Sequence, residues 1–204
     1  PWTIGGATVA VPTQSGNPAY TGQAQSPTWS GYDTAKMSIG GTTTGTDAGT
    51  YPATFTTGPN YQWPDGSTTA KTVNWIISKA AGSLTLNKTS MTLSAAALSG
   101  TITATRAGNG AISAVSSAPS VASVSVSGNI ITVTGKAAGS ATITVSVGEG
   151  ANYNAPANKT CSVTVTLPTK TLNSNSWATV KEASDAGTGA NYWAVGDTKS
   201  ITLN

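Results

Sequence analysis

The sequence predicts an all-β protein: two β-sandwiches in tandem, then a partial C-terminal segment with one short helix. Three observations point there. Short apolar alternations of period two recur almost from end to end, separated by turn residues. Charged residues make up only 8% of the 204, against about 25% in ordinary soluble domains. Thr, Ser, Gly and Ala fill that space, yet the recurring apolar positions set the chain apart from a disordered one. Finally, three blocks of sequence repeat in the same order at a spacing of roughly 90 residues.

In the first block, Ala48-Gly49-Thr50-Tyr51-Pro52-Ala53-Thr54-Phe55 parallels Ala138-Gly139-Ser140-Ala141-Thr142-Ile143-Thr144-Val145. Each reads as a strand whose alternate residues point inward: Tyr51, Ala53 and Phe55 in one copy, Ala141, Ile143 and Val145 in the other. In the second, Asn60-Tyr61-Gln62-Trp63-Pro64 recurs as Asn152-Tyr153-Asn154-Ala155-Pro156. This N-Y-x-x-P stretch reads as a loop, because Asn favours turns and Pro blocks strand continuation. In the third, Lys71 to Ile76 parallels Lys159 to Thr164, a strand with Val73, Trp75 and Ile77, or Cys161, Val163, Val165 and Leu167, facing in. Each copy therefore closes with two antiparallel strands joined by a loop, as in the last hairpin of an immunoglobulin sandwich.

The rest of the second copy fits the same plan. Leu84 and Leu86, then Met91 and Leu93, give a split first strand; Thr101–Thr105 is a second and Ala111–Val115 a third. Val121–Val126 and Ile130–Val133 follow, separated by the turn Ser127-Gly128-Asn129. About seven short strands in roughly 85 residues is sandwich spacing.

Here a specific resemblance appears. Ser83-Leu84-Thr85-Leu86-Asn87-Lys88-Thr89, Pro119-Ser120-Val121-Ala122-Ser123-Val124-Ser125 and Gly135-Lys136-Ala137-Ala138-Gly139-Ser140-Ala141-Thr142-Ile143 resemble the bacterial Ig-like group 2 family over 83–167. The departure is a missing Trp before the S-V-A strand, where Ala114 or Val115 stands. Residues 6–79 resemble a second kind of bacterial Ig-like module, on Ala19-Tyr20-Thr21-Gly22, Ala48-Gly49-Thr50-Tyr51 and the N-Y-x-x-P loop. In the tail, Trp177 to Gly187 reads as a short helix with Ser176 as N-cap and Gly187 as stop. With Tyr192 to Lys199 it resembles the start of an uncharacterised domain that follows such arrays in gut bacteria and their phages. The domains expected are thus 1–79, 83–167 and an incomplete 168–204, the first two joined by the short linker Lys79-Ala80-Ala81-Gly82. Both ends read as cut, the second inside a strand at Ile201-Thr202-Leu203-Asn204.

Chemistry is sparse. The chain has no His, the commonest general base and metal ligand. Glu182 and Asp185 share a helix face but read as solvated carboxylates, and no calcium-loop, phosphate-loop or nucleophile-elbow motif appears. No catalytic, metal or cofactor residues are assigned, and the chain is expected not to be an enzyme. Cys161 is the one cysteine, in phase with the apolar positions, and reads as a small core residue. Some bacterial Ig-like domains form a Lys–Asn isopeptide bond, but no acid stands inward beside Lys71 or Lys159. The ten basic residues never cluster, so no nucleic-acid partner is expected. No apolar run is long enough for membrane insertion.

Aromatics are concentrated in residues 1–79, where Trp29, Tyr32, Tyr61 and Trp63 lie in or beside loops. The first reading is that Trp29, Trp75 and Tyr51 pack the first core while the loop aromatics brace the domain junction. The alternative is that Tyr61, Trp63, Trp29 and Tyr32 contact a glycan or surface receptor. The expectation overall is an extracellular, cell-surface or virion structural module: a stalk, decoration or assembly subunit. Its partners are other domains of the parent chain or further copies in an assembly. An adhesion module and an accessory domain of a secreted carbohydrate-active enzyme stand as alternatives.

Overall fold

The computed structural model describes residues 5–200 and divides into two compact units. Unit 1 runs to Ala81 and also includes Glu149–Asn154; unit 2 comprises the rest, from Gly82. The chain is all-β, with one short helix in the tail.

Unit 1 holds β1 (Ala7–Thr8), β2 (Thr13–Ser15), β3 (Thr28–Ser30), β4 (Met37–Gly41), β5 (Gly49–Thr57), β6 (Tyr61–Gln62) and β7 (Lys71–Ile77). β4, β5 and β7 form an antiparallel sheet, β2 pairs β3, and β1 pairs β6 in parallel. The first and third repeated blocks are β5 and β7, which pair from Gly49↔Ile77 to Phe55↔Lys71. Their inward alternation puts Ala53, Phe55, Trp75 and Ile77 in a core completed by Val9, Met37 and Trp63. Trp75 meets the cost of burying its indole N–H by donating to the Thr42 carbonyl at 2.7 Å. Tyr51 stacks on Trp75 with ring centres 4.7 Å apart, and its hydroxyl donates to the Asp47 carbonyl at 2.6 Å. Gly45 lies against that ring: a Cβ there would come within 2.5 Å of it, so only glycine fits.

The outer side of β7 is partly closed by a side chain. Gln14 accepts the Ile76 N–H at 2.8 Å and donates to the Ile76 carbonyl at 2.9 Å. One carboxamide thus takes both backbone bonds that a further strand would take at that residue.

Unit 2 is a sandwich of two four-stranded sheets. Its strands are β8 (Ser83–Leu86), β9 (Ser90–Ser94), β10 (Ser99–Ala107), β11 (Ile112–Ser116), β12 (Ala122–Ser127), β13 (Ile130–Gly135), β14 (Gly139–Val147) and β15 (Lys159–Thr166). The sheets run β12-β13-β10-β8 and β11-β14-β15-β9. The split first strand has a structural meaning: β8 pairs antiparallel to β10 in one sheet, and β9 pairs parallel to β15 in the other. Between them lie Leu84, Leu93, Ile102, Ile131, Val133, Ile143, Val145, Cys161, Val163 and Val165, all buried. Outward positions of β14 and β15 carry Thr142, Thr144, Thr160, Ser162 and Thr164. Period-two alternation of β-branched apolar residues with Thr and Ser is what a sheet covered on one face requires.

In the tail, α1 (Trp177–Asp185) starts where Ser176 accepts the Thr179 N–H at 3.0 Å. It ends at Gly187, whose φ of 68° lets its N–H reach the Ser184 carbonyl while Thr188 bonds that of Ala183. Buried Asn175 ties the preceding loop together, donating to the carbonyls of Thr169 and Thr171 and accepting the Thr169 N–H at 2.7 Å. The strand expected at Ile201–Asn204 lies outside the described residues.

Candidate functional surfaces

The four loop aromatics are placed by the core of unit 1. Trp63 sits at the tip of a tight turn, where its backbone N–H reaches the Ser67 carbonyl at 2.8 Å and its carbonyl accepts from Gly66. Its ring, however, is 0% exposed, and its indole N–H donates to the Thr69 carbonyl at 2.8 Å. The solvent-facing position expected of Trp63 is therefore corrected: the turn folds the indole under itself, because so few other large apolar residues exist to fill that core. Trp29 and Tyr32 meet Phe55 edge-on, with centroids 4.8 and 5.6 Å apart. Tyr61 is half-buried against the same core. These contacts use the rings for packing, and the four do not converge on an open cleft.

Asp65 organises that turn. Its carboxylate accepts from the Ser67 N–H at 2.9 Å, the Ser67 hydroxyl at 2.6 Å and the Lys71 ammonium at 2.6 Å. Lys71 first, then Ser67, holds the Asp65 carboxyl far below the usual carboxylate range. A folded-state pKa depressed in this way gives stability that is complete above about pH 4, the unfolded value, and is lost as pH falls toward the folded one. A carboxyl-detected NMR titration is expected to place the Asp65 midpoint well below that of an ordinary aspartate. Lys71→Met is expected to move it back up.

The other carboxylates serve similar local ends. Asp33 pairs with Lys36 at 2.8 Å, and this contact, with the Ala35 N–H, lowers its pKa. Asp185 pairs with Lys181, and Asp197 accepts the Ala194 N–H at 2.8 Å. Glu182 and Asp185 border an open hollow of about 550 Å³ with Ala96 and Lys181. Both carboxyls face solvent there, as a surface helix would place them. A second hollow, about 320 Å³, lies on the hydroxyl face of unit 2 over Ser140, Thr142, Ser162 and Thr164. Cys161 is fully buried, and burial pushes its thiol pKa up, so it stays protonated. Among the described residues no three His, Cys, Asp or Glu side chains gather as a metal site would need.

One polar constellation in unit 1 was read from sequence only as a loop. Asn152 accepts the Ala48 N–H through Oδ1 at 2.8 Å and donates from Nδ2 to the Asp47 carboxylate at 2.8 Å. Its backbone carbonyl accepts the Ala80 N–H at 2.9 Å, and Asn154 returns a bond to the Ala80 carbonyl at 2.9 Å. Beside it, Tyr153 meets Tyr20 edge-on at 5.4 Å, and Glu149 pairs with Lys79 at 2.5 Å. An Asn side chain suits this place because it offers an acceptor and a donor at once.

Comparison with known proteins covers part of the chain. The family model of the bacterial Ig-like domain (group 2) matches residues 80–156. No curated protein matches. Among solved structures, the chain is similar to domains 1–6 of the surface layer protein SbsC, with 18% identity and a TM-score of 0.37 over 66% of this chain and 20% of that one. It thus spans about a fifth of the length of that structure. Domains 4 and 5 of the S-layer protein SbsC show 16% identity and a TM-score of 0.35, over 76% of this chain and 96% of that one. The fibronectin(III)-like modules of Clostridium thermocellum CbhA show 11% identity and a TM-score of 0.32, over 80% and 91%.

Proposed function

We propose that the chain is a non-catalytic structural module of an extracellular or surface-displayed protein, a spacer that holds neighbouring domains apart. The observation that carries this reading is how its polar groups are used. Six of its seven carboxylates are engaged in turns, caps and surface ion pairs: Asp33, Asp47, Asp65, Glu149, Asp185 and Asp197. The loop aromatics are committed to the core, and the outer sheet face of unit 2 is a field of hydroxyls. A group 2 Ig-like match over 80–156 supports the same reading. Little charge lets neighbouring copies of such a module lie close without mutual repulsion. Residues 168–200, with their own cap and buried Asn175, fit the opening of a third domain.

Antibody raised against the chain is expected to label intact cells or particles of its source without permeabilisation. The purified chain is expected to bind no arrayed glycan. Labelling only after lysis would overturn the surface reading. Glycan binding lost on Tyr61→Ala or Trp29→Ala, with melting unchanged, would replace the spacer by an adhesion module.

A further inference from the structure

Unit 1 contains one backbone arrangement twice. In the first instance the Ala7 N–H donates to the Asn60 carbonyl at 2.8 Å, with Ala7 paired in parallel to Tyr61. In the second the Ala80 N–H donates to the Asn152 carbonyl at 2.9 Å, with Ala80 paired in parallel to Tyr153. Both loops are the N-Y of the repeated N-Y-x-x-P motif. The strands leading in also correspond: Trp2-Thr3-Ile4-Gly5-Gly6-Ala7 matches Trp75-Ile76-Ile77-Ser78-Lys79-Ala80 at Trp, Ile and Ala. In the second instance Trp75 and Ile77 are core residues of the module that precedes the linker.

The two instances differ in what the Asn side chain holds. Asn152 grips the Asp47-Ala48 turn through both ends of its carboxamide. Asn60 is exposed, and among the described residues its carboxamide makes no hydrogen bond. It borders a hollow of about 480 Å³ with Gly5, Gly6 and Ala7. Asn60 also keeps a left-handed φ of 68°, a conformation Asn tolerates better than most residues.

Resting on the spacer reading, we infer that the Asn60–Gln62 loop is the seat of an upstream sandwich module of the same polypeptide. That module's last strand ends in Trp2-Thr3-Ile4, and its Asp-Ala-Gly turn is held by Asn60 as Asp47-Ala48-Gly49 is held by Asn152. A second copy of this chain is a poor occupant, since its own Asp47 and Ala48 are already bonded by its own Asn152. The array would then grow by one rule: each module lends its final strand to the linker, and the next module's N-Y loop pairs with that linker.

The test uses the full chain extended by a second copy of residues 7–74 placed directly before Trp2. Calorimetry is expected to show an added cooperative transition, abolished by Trp2→Ala. Asn60→Asp in the original copy keeps the left-handed backbone but sets a carboxylate against the partner's aspartate. It is expected to lower the added transition by roughly 4–8 °C per hydrogen bond lost, and to leave the melting of the unextended chain unchanged. An added transition indifferent to Asn60→Asp would overturn the docking. A control extension carries residues 7–79 on a flexible linker before Pro1. If it folds while the direct fusion does not, the strand assignment of Trp2-Thr3-Ile4 is wrong. Surface labelling is independent of every one of these outcomes, so the spacer reading and this seat fail separately.

Discussion

Trp63→Ala is expected to destabilise unit 1 by about 3–5 kcal/mol, the cost of emptying a filled aromatic site. For a unit of this size that corresponds to a fall in melting temperature of more than about 12 °C. Two losses add. The ring is 0% exposed, so its removal leaves a cavity beside Phe55 and Trp75, and the Thr69 carbonyl loses the indole N–H at 2.8 Å. Trp63→Phe restores much of the volume but not the hydrogen bond, and is expected to cost about half as much. Thermal unfolding followed by circular dichroism decides it. If Trp63→Ala melts like the parent, the indole is not a core residue and the turn is free to serve a ligand.

Ile143→Ala is expected to be the most damaging aliphatic truncation in unit 2, at about 2–5 kcal/mol, against about 0.5–1.5 for Ile143→Val. Ile143 lies mid-strand in β14, between Ser116 of β11 and Cys161 of β15, and is 0% exposed. Val115 offers the contrast: it sits on edge strand β11 of the same sheet, 66% exposed. Val115→Ala is expected to change stability by no more than about 0.5 kcal/mol. Urea titration measures the difference, and residue-resolved hydrogen exchange should locate the Ile143 loss in β14 and β15. Equal costs for the two substitutions would contradict the inward register of β14.

Much of this could be read from residue spacing, because period-two alternation carries both strand type and facing. Ala53, Phe55, Trp75 and Ile77 in one copy, and Ile143, Val145, Cys161 and Val163 in the other, are buried as alternation requires. The caps of α1 were legible for a similar reason, since Ser176 and Gly187 act through their own local geometry. What alternation cannot show is the facing of a side chain outside a strand. Trp63 follows a tyrosine-bearing loop and precedes Pro64, so its sequence context says turn and nothing about depth. A signal did exist: the chain has one Phe, and a first core built from so few large residues had to recruit its tryptophans. Asn152 was hidden for another reason. Its partners Asp47 and Ala48 lie more than a hundred positions away, beyond the reach of any local pattern.

The sheet switch between β8 and β9 has a consequence for a protein under tension. β9 stands near the start of unit 2 and β15 near its end, and the two are parallel neighbours from Ser162↔Ser90 to Thr166↔Ser94. A pull on the two ends of the unit draws β9 backward and β15 forward along their common axis. The load then falls on all the bonds of that ladder together, in shear, rather than on one bond at a time as in the unzipping of a hairpin. A unit clamped in this way should yield in a single high-force event in an optical-trap or force-microscope trace. Proline at Thr92, which removes a ladder donor from β9, should lower that force.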